Sequence, residues 1–130
     1  MIVVDTSALV QMYLRQTGFE QLRLRVSASA TAILPVSCYV EFALLYRIGS
    51  DRMDWLDEQL AEPPLSLIAI EPEHGRLAAE AARHYGKGSG HAAQLNFGDC
   101  IAYAVAKHRD LPLLFVGDDF RHTDVIPAIA

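Results

Sequence analysis

The chain has no apolar run approaching the ~20 residues that span a bilayer, so no transmembrane helix is expected. Its first residues carry neither a basic segment nor a cleavable apolar core, so no signal peptide is expected either. Cysteine is scarce: Cys38 and Cys100 are the only two, and they match no zinc spacing. They read as buried thiols in a reducing cytoplasm. A basic excess is also missing, with 11 Lys and Arg against 16 Asp and Glu and a net charge of −5. That counts against a nonspecific nucleic-acid binder. The objection weakens if several acids sit in one metal site, where an ion neutralises part of their charge. Lys87 lies in a Gly-rich stretch, but no Gly-x-x-x-x-Gly-Lys-Ser/Thr occurs, which excludes a phosphate loop. No nucleophile elbow is present, which argues against serine-based hydrolysis. The five histidines are scattered in no metal pattern. There is no internal repeat, linker or low-complexity stretch.

What is present is a globular composition, 52% hydrophobic and 21% charged over 130 residues, enough for one domain spanning 1–130. Ile2-Val3-Val4 is a continuous apolar run, the signature of a buried strand. A helix follows, with Leu9, Val10, Tyr13 and Leu14 at helical spacing and Thr6 or Ser7 as cap. Gly18 breaks it, and a second helix runs over Phe19 to Val26. A short strand is predicted at Ala32 to Leu34. Ser37 is the expected cap of the next helix, along which Val40, Ala43, Leu44 and Arg47 recur. Gly49-Ser50-Asp51 ends it and caps a helix over Arg52 to Leu60. A strand is predicted from Leu65 to Ile70 and an Ala-rich helix over 73–85. A patterned helix spans Cys100 to His108, and Leu113 to Val116 reads as the last strand. Apolar strands alternating with helices imply a mostly parallel sheet covered on both faces.

Four acids fall at strand-to-helix transitions, which share one edge of a parallel sheet, the edge where ligands bind. Asp5 ends the first strand. Glu41 lies in the early turns of a helix that follows a strand. Asp99 opens a helix after Gly98. Asp118 follows the last strand, with Asp119 beside it. Taken singly, each has an ordinary structural role as a helix cap, a turn residue or a solvated helix residue. Together, clustered carboxylates either bind a cation or hold protons at neutral pH. Oxygen-only ligands select hard ions, so Mg²⁺ or Mn²⁺ is expected ahead of zinc. The chemistry that fits is hydrolysis of a phosphate ester.

The chain resembles the PIN domain, and more closely the VapC toxins of bacterial toxin–antitoxin pairs. The likeness is carried by Val3-Val4-Asp5-Thr6-Ser7-Ala8, the Glu41 region, Leu95 to Ala104 with its Asn-Phe-Gly-Asp-Cys core, and Leu113 to Phe120 with Thr123-Asp124-Val125. It implies a three-layer α/β/α fold with a mostly parallel sheet of four to five strands. It also implies a magnesium- or manganese-dependent endoribonuclease. By motif position Asp5 and Asp99 carry over as the principal metal ligands and Glu41 as the third acid. Asp118 is preferred over Asp119 as the fourth, since the family places an Asp or Asn directly after the last strand. Thr6 or Ser7 resembles the supporting hydroxyl residue, and Asn96 a supporting partner. The resemblance further implies an RNA substrate, a homodimer and a small VapB-type antitoxin that blocks the site.

Basic residues that could face RNA are Arg15, Arg23 and Arg25; Arg83, His84 and Lys87; and Lys107, His108, Arg109, Arg121 and His122. Two other classes compete. A receiver-like signalling domain is also small and α/β, but needs a pair of acids after strand one and a lysine after the last strand. Here Asp5 precedes Thr6-Ser7, and Asp118 stands in the lysine's place. A catalytically inactive PIN-like binding module would be expected to have lost acids, and this chain keeps them.

Overall fold

The computed structural model describes residues 1–129. Four strands, β1 (Ile2–Val4), β2 (Ala32–Pro35), β3 (Leu65–Ile68) and β4 (Leu113–Leu114), form one sheet. Six helices accompany them: α1 (Thr6–Leu14), α2 (Phe19–Ser27), α3 (Val36–Ala43), α4 (Arg52–Leu60), α5 (Pro72–Tyr85) and α6 (Phe97–Arg109). Every strand pairing is parallel, in the order β3-β2-β1-β4. This is the α/β PIN-like architecture expected, with four strands.

The order explains where a ligand belongs. From β1 the chain winds outward to β2 and β3, then returns to the opposite side of β1 to lay down β4. The loops leaving β1 and β4 therefore diverge, and the crevice between them is the topological switch point. β1 is the centre of the core, with Ile2, Val3 and Val4 fully buried. Its register with β4 is fixed by Val3 opposite Leu113 and Val4 opposite Leu114. One further bond, Asp5 N–H to Leu114 O at 2.9 Å, ties the residue after β1 to the end of β4.

The structure differs from the sequence reading at element ends. β3 stops at Ile68, short of Ile70, because its partner β2 ends at Pro35, which pairs with Ile68. β4 keeps only Leu113 and Leu114, since β1 offers no partner beyond Val4. Ser37 does not cap α3. The helix follows β2 with no intervening loop, Pro35 takes the cap position without a side-chain bond, and Ser37 Oγ is left without a partner. α3 also ends at Ala43 and does not reach Arg47. The buried Arg52 guanidinium turns back onto this terminus, donating to the carbonyls of Phe42, Ala43 and Gly49. A short 3-10 turn over Tyr46–Ile48 follows. Asp51 makes no side-chain cap bond to α4; its carboxylate accepts from the Tyr13 hydroxyl.

Candidate active site

Asp5 sits where β1 hands over to α1. Its backbone is extended, it caps α1, and its side chain is 4% exposed. Oδ2 accepts two bonds from Ser7, from the N–H at 3.0 Å and from Oγ at 2.6 Å. Ser7 Oγ also accepts from Val116 N–H at 3.0 Å. One hydroxyl thus links the carboxylate after β1 to the loop after β4. Burial raises the Asp5 pKa above its ordinary value, the Ser7 bonds pull it back, and the charge of Asp119 raises it further.

Glu41 reaches the same crevice from α3, which packs against both α1 and α6. Thr6 Oγ1 donates to its Oε1 at 2.7 Å. Burial raises its pKa, the Thr6 bond opposes that, and the charge of Asp5 adds to it. The two hydroxyls singled out in the sequence therefore divide the work: Ser7 holds Asp5 and Thr6 holds Glu41.

Asp99 is the third residue of α6, in the first turn. Asn96 caps the helix, accepting from Asp99 N–H through Oδ1 at 2.8 Å, while Asp99 Oδ2 accepts from Asn96 N–H at 3.1 Å. This reciprocal capping box fixes the carboxylate to the helix start. Its pKa is pushed up to about 7, chiefly by burial and further by the charges of Asp5, Asp119 and Glu41, against the pull of the Asn96 N–H.

The two aspartates after β4 part company. Asp118 is exposed, and its Oδ1 lies 3.7 Å from Arg121 Nε. Asp119 begins a 3-10 turn over Asp119–His122, and its charge is the one that bears on Asp5 and Asp99. The structure brings Asp5 and Asp99 within electrostatic reach of Asp119, and Glu41 within reach of Asp5 and Asp99, while Asp118 lies near Arg121.

Glu41 and Asp99 are each held by one carboxylate oxygen. The described hydrogen bonds leave Glu41 Oε2 and Asp99 Oδ1 without a donor, while the Thr6 N–H also bears on the Asp5 carboxylate. The charges shifting these groups come from other acids, with no lysine or arginine among them. Repelling carboxylates with free oxygens and no internal counterion are the donor set of a hard divalent cation. Among the described residues, no group of three or more His, Cys, Asp or Glu is placed to hold a metal ion as it stands.

Sequence reasoning missed Gly98. A Cβ built there would lie 1.8 Å from Glu41 Oε2. The visible signal was a glycine in the first turn of a helix, where alanine is the better helix former. Several basic candidates lie away from the acids or in structural roles. Arg25 donates to Ser29 and to Ala128 O. Lys107 pairs with Asp124 at 3.1 Å. Arg15 and Arg23 line a separate cleft with Trp55 and Leu65.

A parallel sheet of this order with acids at its switch point is consistent with the PIN domain, and the PIN domain family model matches residues 2–126. The VapC ribonuclease Mb2780c of Mycobacterium bovis is 39% identical over 129 residues, covering 98% of each chain. Ribonuclease VapC30 of Mycobacterium tuberculosis is 39% identical over 126 residues, covering 95% of each. Among solved structures, M. tuberculosis VapC20, described as a sarcin-ricin loop cleaving toxin, superposes with a TM-score of 0.76 at 16% identity over 97% of each chain. FitAcB from Neisseria gonorrhoeae superposes with a TM-score of 0.67 at 21% identity, over 98% of this chain and 96% of that one. The chain belongs to the VapC ribonucleases of the PIN-domain family. Among the described residues, no helix is long and apolar enough to cross a membrane.

Proposed function

We propose that this protein is the toxin of a type II toxin–antitoxin pair, a divalent-metal-dependent endoribonuclease acting in the cytoplasm as a single domain over 1–130. The observation that carries the chemistry is the gathering of Asp5, Glu41 and Asp99 at the switch point with raised pKa values, with the charge of Asp119 bearing on Asp5 and Asp99 and no basic group among the charges that shift them. The residues fit Mg²⁺, with Mn²⁺ as its usual substitute. Asp5, Glu41 and Asp99 would hold the cation, the last two through the oxygens that the hydrogen bonds leave free. Asp119 takes the place first given to Asp118 as the fourth acid. A cation held there would supply positive charge to an RNA phosphodiester and to an attacking water. Ser7, Thr6 and Asn96 each fix one carboxylate, so that little reorganisation accompanies the reaction. A homodimer and a VapB-type antitoxin that covers the site complete the reading. It is supported by the names of the relatives and by crystal structures of toxin–antitoxin complexes among the neighbours.

The receiver-like reading falls, since no lysine charge acts on Asp5 and the relatives are named ribonucleases. The inactive-module reading has no observation in its favour. The test is cleavage of RNA by the purified chain in Mg²⁺, in excess EDTA, and with Asp5→Asn. Cleavage that needs both the cation and Asp5 is expected. Undiminished cleavage in EDTA, or by the variant, would overturn the reading.

A further inference from the structure

Gly98 has no conformational reason to be glycine. It lies inside α6, and its backbone is outside the left-handed region where glycine is favoured. Within a helix, alanine is the better residue. The reason for glycine is space. A Cβ on residue 98 would meet Glu41 Oε2 at 1.8 Å, Cδ at 2.3 Å and Oε1 at 2.8 Å. All three atoms belong to one carboxylate, and that carboxylate is held from its other side by Thr6 Oγ1 at 2.7 Å. Glu41 is therefore wedged between the first residue of α1 and the first turn of α6. An added methyl would push that carboxylate, the mobile end of the Glu41 side chain, off its position and away from the Thr6 bond. Asp99, the next residue along α6, feels its charge.

We infer that Gly98 is a positioning residue: its missing side chain forms the niche in which the Glu41 carboxylate rests beside Asp99, and this sets the spacing of the acids that receive the divalent cation. The inference rests on the metal-site reading above and deepens it. It explains why the contact involves a carboxylate and helix backbone where an ordinary apolar packing contact would serve the fold alone. It also yields a compensation that a purely structural glycine would not show. Shortening Glu41 by one methylene withdraws its carboxylate by about 1.5 Å, one carbon–carbon bond, which relieves most of the overlap with an added methyl.

The experiment is a cycle of Gly98→Ala, Glu41→Asp, Glu41→Ala and the two Gly98 double variants. It is read by Mn²⁺ affinity from electron paramagnetic resonance and by thermal unfolding in EDTA. Gly98→Ala alone should weaken Mn²⁺ binding about 10–100-fold, the scale seen when groups orienting metal ligands are removed. In the Glu41→Asp background the same change should cost less than about 3-fold, a departure from additivity that marks direct contact. Glu41→Ala with Gly98→Ala should restore the unfolding temperature without restoring Mn²⁺ affinity. Equal losses from Gly98→Ala in both backgrounds would overturn the inference, as would unchanged affinity in the single variant. So would failure of every Gly98 variant to fold, because the shortened partners remove the overlap. A wild-type chain that binds no Mn²⁺ would overturn the metal reading itself, and the inference with it.

Discussion

Neutralising Asp99 should stabilise the metal-free protein while abolishing its response to metal. Asp99→Asn is the suitable change, because the amide oxygen can still accept the Asn96 N–H and preserve the capping box. In the unfolded chain this carboxyl has its ordinary pKa of 3.8, and in the folded one it is pushed up to about 7. The folded state thus holds the proton more tightly. Its contribution to stability is complete below about pH 4, falls as the pH rises, and is lost above about pH 7. At ~1.4 kcal/mol per pKa unit the fully desolvated value would be roughly 4 kcal/mol. Asp99 is only part-buried, and solvent screening brings this to about 1–2 kcal/mol. In EDTA at pH 8, Asp99→Asn should therefore exceed wild type in stability by that amount, or roughly 4–8 °C in Tm for a chain of this length. The gap should shrink as the pH falls and close near pH 4. Adding Mg²⁺ or Mn²⁺ at pH 8 should stabilise wild type by mass action and leave the variant unmoved. The assay is thermal unfolding by circular dichroism across pH 4–8 with and without metal. An Asp99→Asn protein no more stable than wild type at pH 8, or a gap independent of pH, would refute the electrostatic account of the cluster.

Three further outcomes are expected. Asp119→Asn should weaken Mn²⁺ binding about tenfold or more, on the scale of a lost charge-assisted ligand, whereas Asp118→Asn should leave it within about 3-fold; calorimetric titration of the two variants separates them. Ser7→Ala removes one of the two bonds to the buried Asp5, the one from Oγ, and the acceptor for Val116 N–H. The backbone N–H bond survives the substitution, so urea unfolding should show a loss of about 1–3 kcal/mol, accompanied by slower RNA cleavage. Arg52→Ala strips donors from the end of α3 and removes a guanidinium 4.7 Å above the Tyr46 ring. It should cost about 2–4 kcal/mol in the same measurement.

The parts of the fold that could be read from sequence are those set by short-range pattern. β1 was visible because a residue buried on both faces must be apolar at every position, and Ile2, Val3 and Val4 meet that demand. The placement of Asp5 and Glu41 at one edge follows from the same reasoning, since every strand-to-helix turn of a parallel sheet faces one way; Asp99 opens α6, which follows α5 and not a strand, and the packing of α6 on α3 and β1 brings it there. What was illegible depends on contacts across the chain or on the exact turn. Asp118 and Asp119 are adjacent and both exposed, and nothing in the local sequence tells which of their charges bears on Asp5 and Asp99; in the structure it is that of Asp119. Ser37 looked like a cap because a loop was assumed before α3, and none exists. Arg52 ends α3 from nine and ten residues away, a distance no local helix pattern reports. Gly98 acquires its meaning only from Glu41, brought to it through the packing of α3 on α6.

The central claim is that these acids share a divalent cation. Its most direct test is a crystal of the wild-type chain soaked in Mn²⁺, with diffraction measured at the manganese absorption edge. The account predicts an anomalous peak in the crevice between the ends of β1 and β4, bounded by Asp5, Glu41 and Asp99, with Asp119 closer than Asp118. A crevice with no peak under saturating Mn²⁺, or a peak held by other residues alone, would contradict it.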